Sequence, residues 1–145
     1  MQITNHTTYL LDVNILIALS NRRHVWHQRA HQWFANVGSW ATTPLTEAAY
    51  VRLMLNPQAM GMPVTPAAAL ASLSSLRQQP GHVFIEDATS LAQPKIDLAG
   101  LVGHKQVTDL HLVNLAAAHG AVLATLDAGI EKMLLPSDHH WVCVI

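Results

Sequence analysis

The chain has 145 residues, a length that suits one domain spanning residues 1–145 and leaves little room for a second. Half of the residues are hydrophobic and 12% are charged, which excludes a largely disordered chain and provides for a sizeable core. Eight lysines and arginines against nine acidic residues give a formal net charge of −1, so any binding of nucleic acid must depend on local arrangement.

The first third of the chain predicts a strand, two helices and a second strand. Tyr9–Leu11 is a short apolar run typical of a buried strand, and Asn14–Leu19 predicts a short helix. Apolar residues then recur at helical spacing over residues 26–37, which predicts a longer amphipathic helix. Ser39–Thr42 predicts the second strand.

Two Thr-Pro pairs punctuate the middle of the chain. In Thr43-Pro44 and Thr65-Pro66 the threonine can cap a helix, and the proline fits the first helical position, where an N–H group has no partner. These pairs predict helices that end near Leu55 and near Gln79. His82–Ile85 then predicts the third strand.

The last third of the chain predicts two helices and two strands. Ser90–Val102 predicts a helix that is disturbed at its proline, and Thr108 is expected to cap a helix over Asp109–His119. The apolar runs Ala121–Leu126 and Trp141–Ile145 predict the last two strands.

Strands that alternate with helices of about ten residues or more indicate crossover units around a parallel sheet covered on both faces. We therefore expect an α/β protein, a three-layer α/β/α sandwich with a mainly parallel sheet of about five strands.

Three features bear on the compartment. Cys143 is the only cysteine, so no disulfide can form within the chain, which fits a reducing cytosol. Residues Met1–His6 lack the basic start and the apolar run of a signal peptide. No run of about 18 apolar residues occurs, so we expect no membrane span and a cytoplasmic location.

Acidic residues follow the predicted strands in a pattern. Asp12 ends the first strand and Asp127 ends the fourth, and Glu47 lies in the first turn of the helix after the second strand. In open parallel sheets, sites form beyond the carboxyl ends of the strands, so these three carboxylates are expected at one edge. Asp109 reaches that edge only if residues 106–108 bring the start of its helix there.

Four carboxylates in one cleft repel one another, and at least one stays protonated unless a cation is present. Mg²⁺ takes oxygen ligands and retains waters, and Mn²⁺ can take its place; such an ion orients a phosphodiester and activates water. The constellation therefore favours metal-assisted phosphodiester hydrolysis.

Each acid also has a structural interpretation. Asp109 and Glu47 lie where any acid favours the helix dipole, and Asp127 before Ala128-Gly129 fits a simple turn. Asp12 is different, because a carboxylate directly after a buried strand rarely serves packing.

Four segments each contain one of these acids: Leu10–Leu19, Thr43–Glu47, Val107–Ala116 and Ala124–Asp127. In this order they resemble the four acidic motifs of PIN domains, especially those of VapC-type toxins. The likeness spans almost the whole chain, and its first and third motifs are the more specific.

The resemblance implies a PIN-like fold and a magnesium-dependent endoribonuclease, which is a homodimer neutralised by a cognate antitoxin protein. It also implies an acidic, metal-binding site and polar residues that support it. The site residues would be Asp12, Glu47, Asp109 and Asp127, with Asn14 and Thr125 in support. Leu110 stands where some relatives carry a further acid, so the resemblance is compatible with one metal ion or two.

Two other functions compete with this interpretation. A PIN-like fold could serve as an inactive RNA-binding or interaction module, although all four acids are retained. Asp12-Val13-Asn14 also resembles the nucleophile loop of phosphoaspartate-type phosphohydrolases, but Asn14 cannot supply the proton that this chemistry requires.

The helix predicted over residues 26–37 carries further candidates. His27 and His31 have a spacing that zinc can use, but no carboxylate accompanies them, and an exposed polar face that also includes His24 is favoured. Trp26 and Trp33 are expected in the core.

The turn before this helix carries two adjacent cations. For Arg22 and Arg23, which follow the first helix, a phosphate contact and a solvated turn are both open.

Overall fold

Five parallel strands form the centre of the molecule in a computed structural model that describes residues 6–145. Met1–Asn5, part of the segment predicted to lack a signal peptide, lies outside the described residues. The strands are β1 (Thr8–Leu11), β2 (Ser39–Thr42), β3 (His82–Phe84), β4 (Val122–Thr125) and β5 (Val142–Val144). All five lie within one residue or so of the apolar runs that predicted them.

The strand order is β3-β2-β1-β4-β5, with every neighbouring pair parallel. The first strand is therefore the central one, and Leu10 is in register with Ala41 on one side and with Leu123 on the other. The order reverses between β1 and β4, and a crevice forms at such a switch point beyond the carboxyl ends of the strands.

Helices cover both faces of the sheet. They are α1 (Val13–Ser20), α2 (His27–Phe34), α3 (Pro44–Met54), α4 (Pro57–Met60), α5 (Pro66–Arg77), α6 (Val107–Ala118) and α7 (Ala128–Lys132), with 3-10 turns at His104–Gln106 and Pro136–Trp141. No helix within residues 6–145 combines the length and the apolar character needed to cross a bilayer.

The alternation of side chains along β1 creates two cores. Leu10 faces one side of the sheet, where Val113 and Leu115 of α6 pack against it. Leu11 faces the other side, where Ile15 of α1 and Tyr50 of α3 form the second core. This arrangement confirms the predicted α/β/α sandwich.

The two Thr-Pro pairs begin α3 and α5 as predicted, but the two threonines make different bonds. The Thr65 hydroxyl accepts a hydrogen bond from the Ala68 N–H at 3.1 Å, as a helix cap does. The Thr43 hydroxyl instead donates to the Ile85 carbonyl at 2.8 Å, and so joins the end of β2 to the residue after β3.

The predicted helix over Ser90–Val102 is wrong, because this segment forms turns and irregular structure. Side chains from other parts of the chain bind its backbone: the Lys95 N–H donates to Asn114 Oδ1 at 2.7 Å, and the Asp97 N–H donates to Asp138 Oδ2 at 2.9 Å. Pro94 also removes a donor that a helix would need.

The predicted cap at Thr108 is also wrong. A 3-10 turn over His104–Gln106 leads directly into α6, which begins at Val107, so Thr108 lies inside the first helical turn. Gln106 stabilises this approach, since its Oε1 accepts from the Val102 N–H at 2.7 Å.

The helix α2 differs from its prediction in two ways. Trp26 is not in the core, because it lies just before the first residue of α2 with 44% of its surface exposed. His27 and His31 are more than a polar face: His27 Nδ1 contacts the Ala18 carbonyl at 2.7 Å, and His31 Nε2 contacts the Leu19 carbonyl at 2.8 Å. They fill positions at the end of α1 where a helix leaves carbonyls without partners.

Candidate active site

Asp12 lies at the junction of β1 and α1, in the middle of the sheet edge. It is only 6% exposed, and both of its carboxylate oxygens accept hydrogen bonds. Oδ1 accepts from the Val13 N–H at 2.7 Å, and Oδ2 accepts from the Thr125 hydroxyl at 2.8 Å. The side chain is therefore fixed in one orientation by the neighbouring strand and by its own helix.

Thr125, the last residue of β4, connects Asp12 to two further groups. Its hydroxyl oxygen accepts from Asn14 Nδ2 at 3.2 Å and from the Asp127 N–H at 3.0 Å, while Asn14 Oδ1 accepts from the Leu126 N–H at 3.2 Å. Both residues proposed to support the carboxylates thus lie in a network that joins α1 to the end of β4.

Asp109 faces the same region from the first turn of α6. Its side chain is half-buried, and burial raises the pKa of its carboxyl to about 6, with the charges of Asp12 and Asp127 adding to the increase. The charges of Asp12 and Asp127 thus act on the carboxyl group of Asp109.

Asp12 and Asp127 complete this group of charges. Burial raises the pKa of Asp12, and the nearby charge of Asp127 raises it further, although the bonds from Thr125 and Val13 act in the opposite direction. Asp127 is exposed at the start of α7, where its Oδ1 accepts from the Gly129 N–H at 2.8 Å. We call Asp12, Asp109 and Asp127 the aspartate cluster.

Glu47 lies in the first turn of α3, but its carboxylate makes other contacts. The Thr42 hydroxyl donates to Oε2 at 2.5 Å, and Arg77 of α5 donates to both oxygens at 3.2 and 3.3 Å. His82 Nε2 lies 2.8 Å from the same Thr42 hydroxyl. The structure therefore brings three of the four predicted acids together and pairs the fourth with a cation.

A groove opens beside the aspartate cluster. It has a volume of about 440 Å³ and is lined by Asn14, His24, Val25, Trp26, Leu126 and Asp127. The sequence pointed to Asn14 and Asp127 but assigned Trp26 to the core. A tryptophan at the first position of an apolar pattern can equally lie outside the helix, and only the position of the helix start distinguishes the two.

Arg77 is a second residue whose role the sequence did not indicate. It lies 30 positions from Glu47, at the end of α5, and its guanidinium is 4.8 Å from the centre of the Phe84 ring. No local spacing predicts such a pairing, because it depends on how α3 and α5 pack.

The aspartate cluster suits a divalent cation in its chemistry, since every side-chain donor is a carboxylate oxygen. No group of three or more His, Cys, Asp and Glu side chains in residues 6–145 is arranged to enclose an ion by itself. Mg²⁺ does not require such a group, because it commonly binds one or two carboxylates and keeps several waters. Asp12 and Asp109 are the residues that could hold it.

The fold and the aspartate cluster define a PIN-like α/β/α domain, and solved structures show the same fold. The VapBC2 complex from Rickettsia felis, bound to a DNA fragment from its promoter, matches with a TM-score of 0.60 and 16% identity over 95% of this chain and 98% of that chain. PAE2754 from Pyrobaculum aerophilum matches with a TM-score of 0.59 and 20% identity over 88% of this chain and 80% of that chain.

Sequence relatives identify the family. Ribonuclease VapC39 of Mycobacterium tuberculosis is 44% identical over 85% of this chain and 91% of its own length. From the same organism, ribonuclease VapC38 is 44% identical over 83% and 86%, and ribonuclease VapC29 is 40% identical over 87% and 90%. No family model matches. The chain belongs to the VapC family of PIN-domain ribonucleases.

Proposed function

We propose that this protein is a magnesium-dependent endoribonuclease that acts as the toxin of a toxin–antitoxin pair. The observation that carries the proposal is the aspartate cluster: three carboxyl groups meet at the switch point of the sheet, and the pKa values of Asp12 and Asp109 rise because these groups are buried and lie near like charges. Within residues 6–145, no arginine or lysine forms an ion pair with any of the three. A site with this charge favours a divalent cation.

In this proposal Asp12 and Asp109 hold Mg²⁺, or Mn²⁺ in its place, and Asp127 lies at the rim of the site. When bound, such an ion supplies Lewis acidity to a phosphoryl oxygen and lowers the pKa of water. RNA is the substrate that the names of the related ribonucleases support.

The residues of the chain position the carboxylates. Thr125 and Val13 hold both oxygens of Asp12 through donated hydrogen bonds, so this carboxylate needs little reordering when a cation arrives. Asn14 holds the Thr125 hydroxyl and the Leu126 N–H, and so keeps the end of β4 against the start of α1. Asp109 lies on α6, which packs against the opposite face of the sheet from α1. The carboxylates of Asp12 and Asp109 are therefore held by separate rigid elements.

Glu47 is part of the acidic site that the family resemblance implies. In the structure its carboxylate is neutralised by Arg77, so we propose that its main role here is to join α3 to α5 and β2. It would contribute to the acidic site only after releasing Arg77.

Two partners complete the proposal. We propose a cognate antitoxin protein, because the VapBC2 neighbour is a complex of this kind.

We also propose a homodimer. Exposed apolar side chains on α5 and on the edge strand β3 support it, namely Leu70, Val83 and Phe84. Light scattering of the purified protein measures the mass, and a strictly monomeric species would contradict the dimer.

The decisive experiment is a cleavage assay on the purified protein with single-stranded and structured RNA. We expect cleavage with Mg²⁺ or Mn²⁺ and none with EDTA. Expression alone should slow bacterial growth, and coexpression with the neighbouring antitoxin gene should restore it. Cleavage that persists unchanged in EDTA, after removal of contaminating nuclease, would overturn the metal assignment.

A further inference from the structure

We propose that the groove beside the aspartate cluster binds one nucleotide of a single-stranded RNA, next to the phosphate that is cut, with Trp26 as the surface on which its base stacks. The inference rests on the proposed function, since it places the substrate of that same site. It concerns the segment Arg22–Arg29, which comprises the turn before α2 together with the first three residues of α2 and which we call the basic loop.

The first observation is that Trp26 lies open in the groove. It is 44% exposed, and its neighbour Val25 is 83% exposed, although both are large apolar side chains. The guanidinium of Arg29 lies 5.6 Å from the centre of the indole ring. A base can stack on an exposed indole whatever its identity, which is how proteins bind single strands without strict sequence preference.

The second observation is the charge of the basic loop. Arg22, Arg23 and Arg29 are all exposed, and none forms an ion pair within the part of the chain that the structure describes. The sequence contains no acidic residue at all between Asp12 and Glu47. The chain has a net charge of −1, so this loop is a local cationic region suited to a phosphate backbone.

The third observation is that the groove is continuous with the acidic site. Asn14 and Asp127 line it together with Trp26, and both of them bond to Thr125, which holds Asp12. A nucleotide in the groove would therefore place a neighbouring phosphodiester at the aspartate cluster.

The basic loop is also held in place before any ligand arrives. The Trp26 N–H donates to His24 Nδ1 at 3.1 Å, and the Arg23 N–H donates to Asn21 Oδ1 at 3.0 Å. On the other side of Trp26, His27 anchors α2 to the end of α1. Because Trp26 is already held in place, less conformational entropy is lost when a ligand binds.

The test measures RNA binding without cleavage. The background is the Asp109→Asn variant in EDTA, which removes one repelling carboxylate and prevents turnover. A short fluorescein-labelled single-stranded RNA is titrated by anisotropy, and tryptophan emission is followed with the same RNA unlabelled. We expect Trp26→Ala to weaken binding by about 5- to 150-fold. Trp26→Phe should retain most of the affinity while losing the quenching of tryptophan emission.

Salt dependence tests the cations separately. For Arg22→Ala, Arg23→Ala and Arg29→Ala, the slope of log K against log salt should fall by about 0.7 for every phosphate that is no longer neutralised. Arg52→Ala on α3 removes the same charge from an exposed position outside the groove, and Val102→Ala trims another exposed apolar side chain. Both controls should bind RNA as the background protein does.

The outcomes separate this inference from the proposed function. If Trp26→Ala binds RNA as tightly as the background protein, the groove is not the nucleotide site. Loss of antitoxin binding in the same variant would not change that conclusion. If RNA binding depends on Trp26 but the wild-type protein cleaves no RNA with Mg²⁺, the groove inference survives and the nuclease proposal fails. Unchanged melting temperatures would show that the exposed substitutions leave the fold intact.

Discussion

Two carboxylate sites lie along one edge of the same sheet, and they differ in what surrounds them. At β1 and β4, the aspartate cluster brings three acids together, and no lysine or arginine of residues 6–145 pairs with them. At β2 and β3, Glu47 is bound by Thr42 and Arg77, while burial and the positive charge of Arg77 lower the pKa of His82. The negative charge of the first site is not balanced by a cation, whereas the negative charge of Glu47 at the second site is balanced by Arg77.

The difference separates the acids whose negative charge is unbalanced from the acid that is paired with a cation. A compensated carboxylate stabilises the fold and has little to gain from a metal ion, whereas repelling, half-buried carboxylates gain stability from any cation that binds them. Position at a strand end is common to both sites, so position alone does not distinguish them, whereas the neighbouring charges do.

The strongest test of this comparison is loss of cleavage. Asp12→Asn and Asp109→Asn should each lower the rate of RNA cleavage by at least about 100-fold, because each removes a charge that would act on the cation. Glu131→Gln, which removes an acid of α7 whose charge acts on Cys143, is the matched control and should cleave normally. Full activity in Asp109→Asn would show that the aspartate cluster is structural.

Magnesium should stabilise the folded protein through the same carboxylates. At 100 times Kd the gain is about 2.7 kcal/mol, which raises the melting temperature by several degrees for a domain of this size. Asp12→Asn loses a repelling charge but also the hydrogen bond that the Thr125 hydroxyl donates to Oδ2, so without metal its stability should stay within about 1 kcal/mol of wild type, and it should gain much less from Mg²⁺. Thermal melts of both proteins with EDTA and with Mg²⁺ measure this. If Asp12→Asn unfolds without metal and leaves the response to Mg²⁺ unchanged, Asp12 is a structural residue and the assignment is wrong.

Glu47→Gln should act mainly on stability. It removes the ion pair with Arg77, in which the Glu47 side chain is only 13% exposed, and should lower the free energy of unfolding by about 1 kcal/mol in urea. Cleavage should fall far less than in Asp109→Asn. If the two variants lose equal activity, Glu47 acts with the aspartates, and the contrast between the two sites is wrong.

The smallest expected effect is on the pH dependence of the metal-free protein. The pKa of Asp109 is about 6 in the folded state, above its ordinary value of 3.8, so the folded state keeps this proton while the unfolded chain releases it. Stability from this group is therefore lost as pH rises from about 4 to about 6. Because Asp109 is partly exposed, the difference from Asp109→Asn should stay under about 1 kcal/mol. Urea unfolding of wild type and Asp109→Asn across this range measures the difference. If wild type gained stability relative to the variant as the pH rose, the expected sign would be wrong.

The sequence predicted the central strands β1 and β4 well because each is a short, mostly apolar run, and a run buried on both faces leaves little ambiguity. Leu10 and Leu11, adjacent in sequence, enter opposite cores and are both fully buried. The loop at Ser90–Val102 was mispredicted because its apolar residues satisfy a helical pattern, while the bonds that hold it come from Asn114 and Asp138, far along the chain.

The site was predictable to the extent that it follows strand ends. Asp12 and Asp127 come directly after β1 and β4, whereas Asp109 was expected at this edge only if residues 106–108 brought the start of its helix there. What could not be read from the sequence is the charge balance. Arg77 reaches Glu47 from a different helix, and Trp26 lies outside α2 because the helix begins one residue later.

The hydrogen bond from Thr125 to Asp12 has a consequence for the time at which the site is assembled during synthesis. The two residues are 113 positions apart, and the strand that carries Thr125 is the partner of the central strand. At a translation rate of about 5–20 residues per second, roughly 6 to 23 s separate the two residues as they are made. Throughout that interval the nascent chain contains Asp12 without the hydroxyl that orients it. A product truncated before β4 would retain the first acidic motif and lack the ordered site.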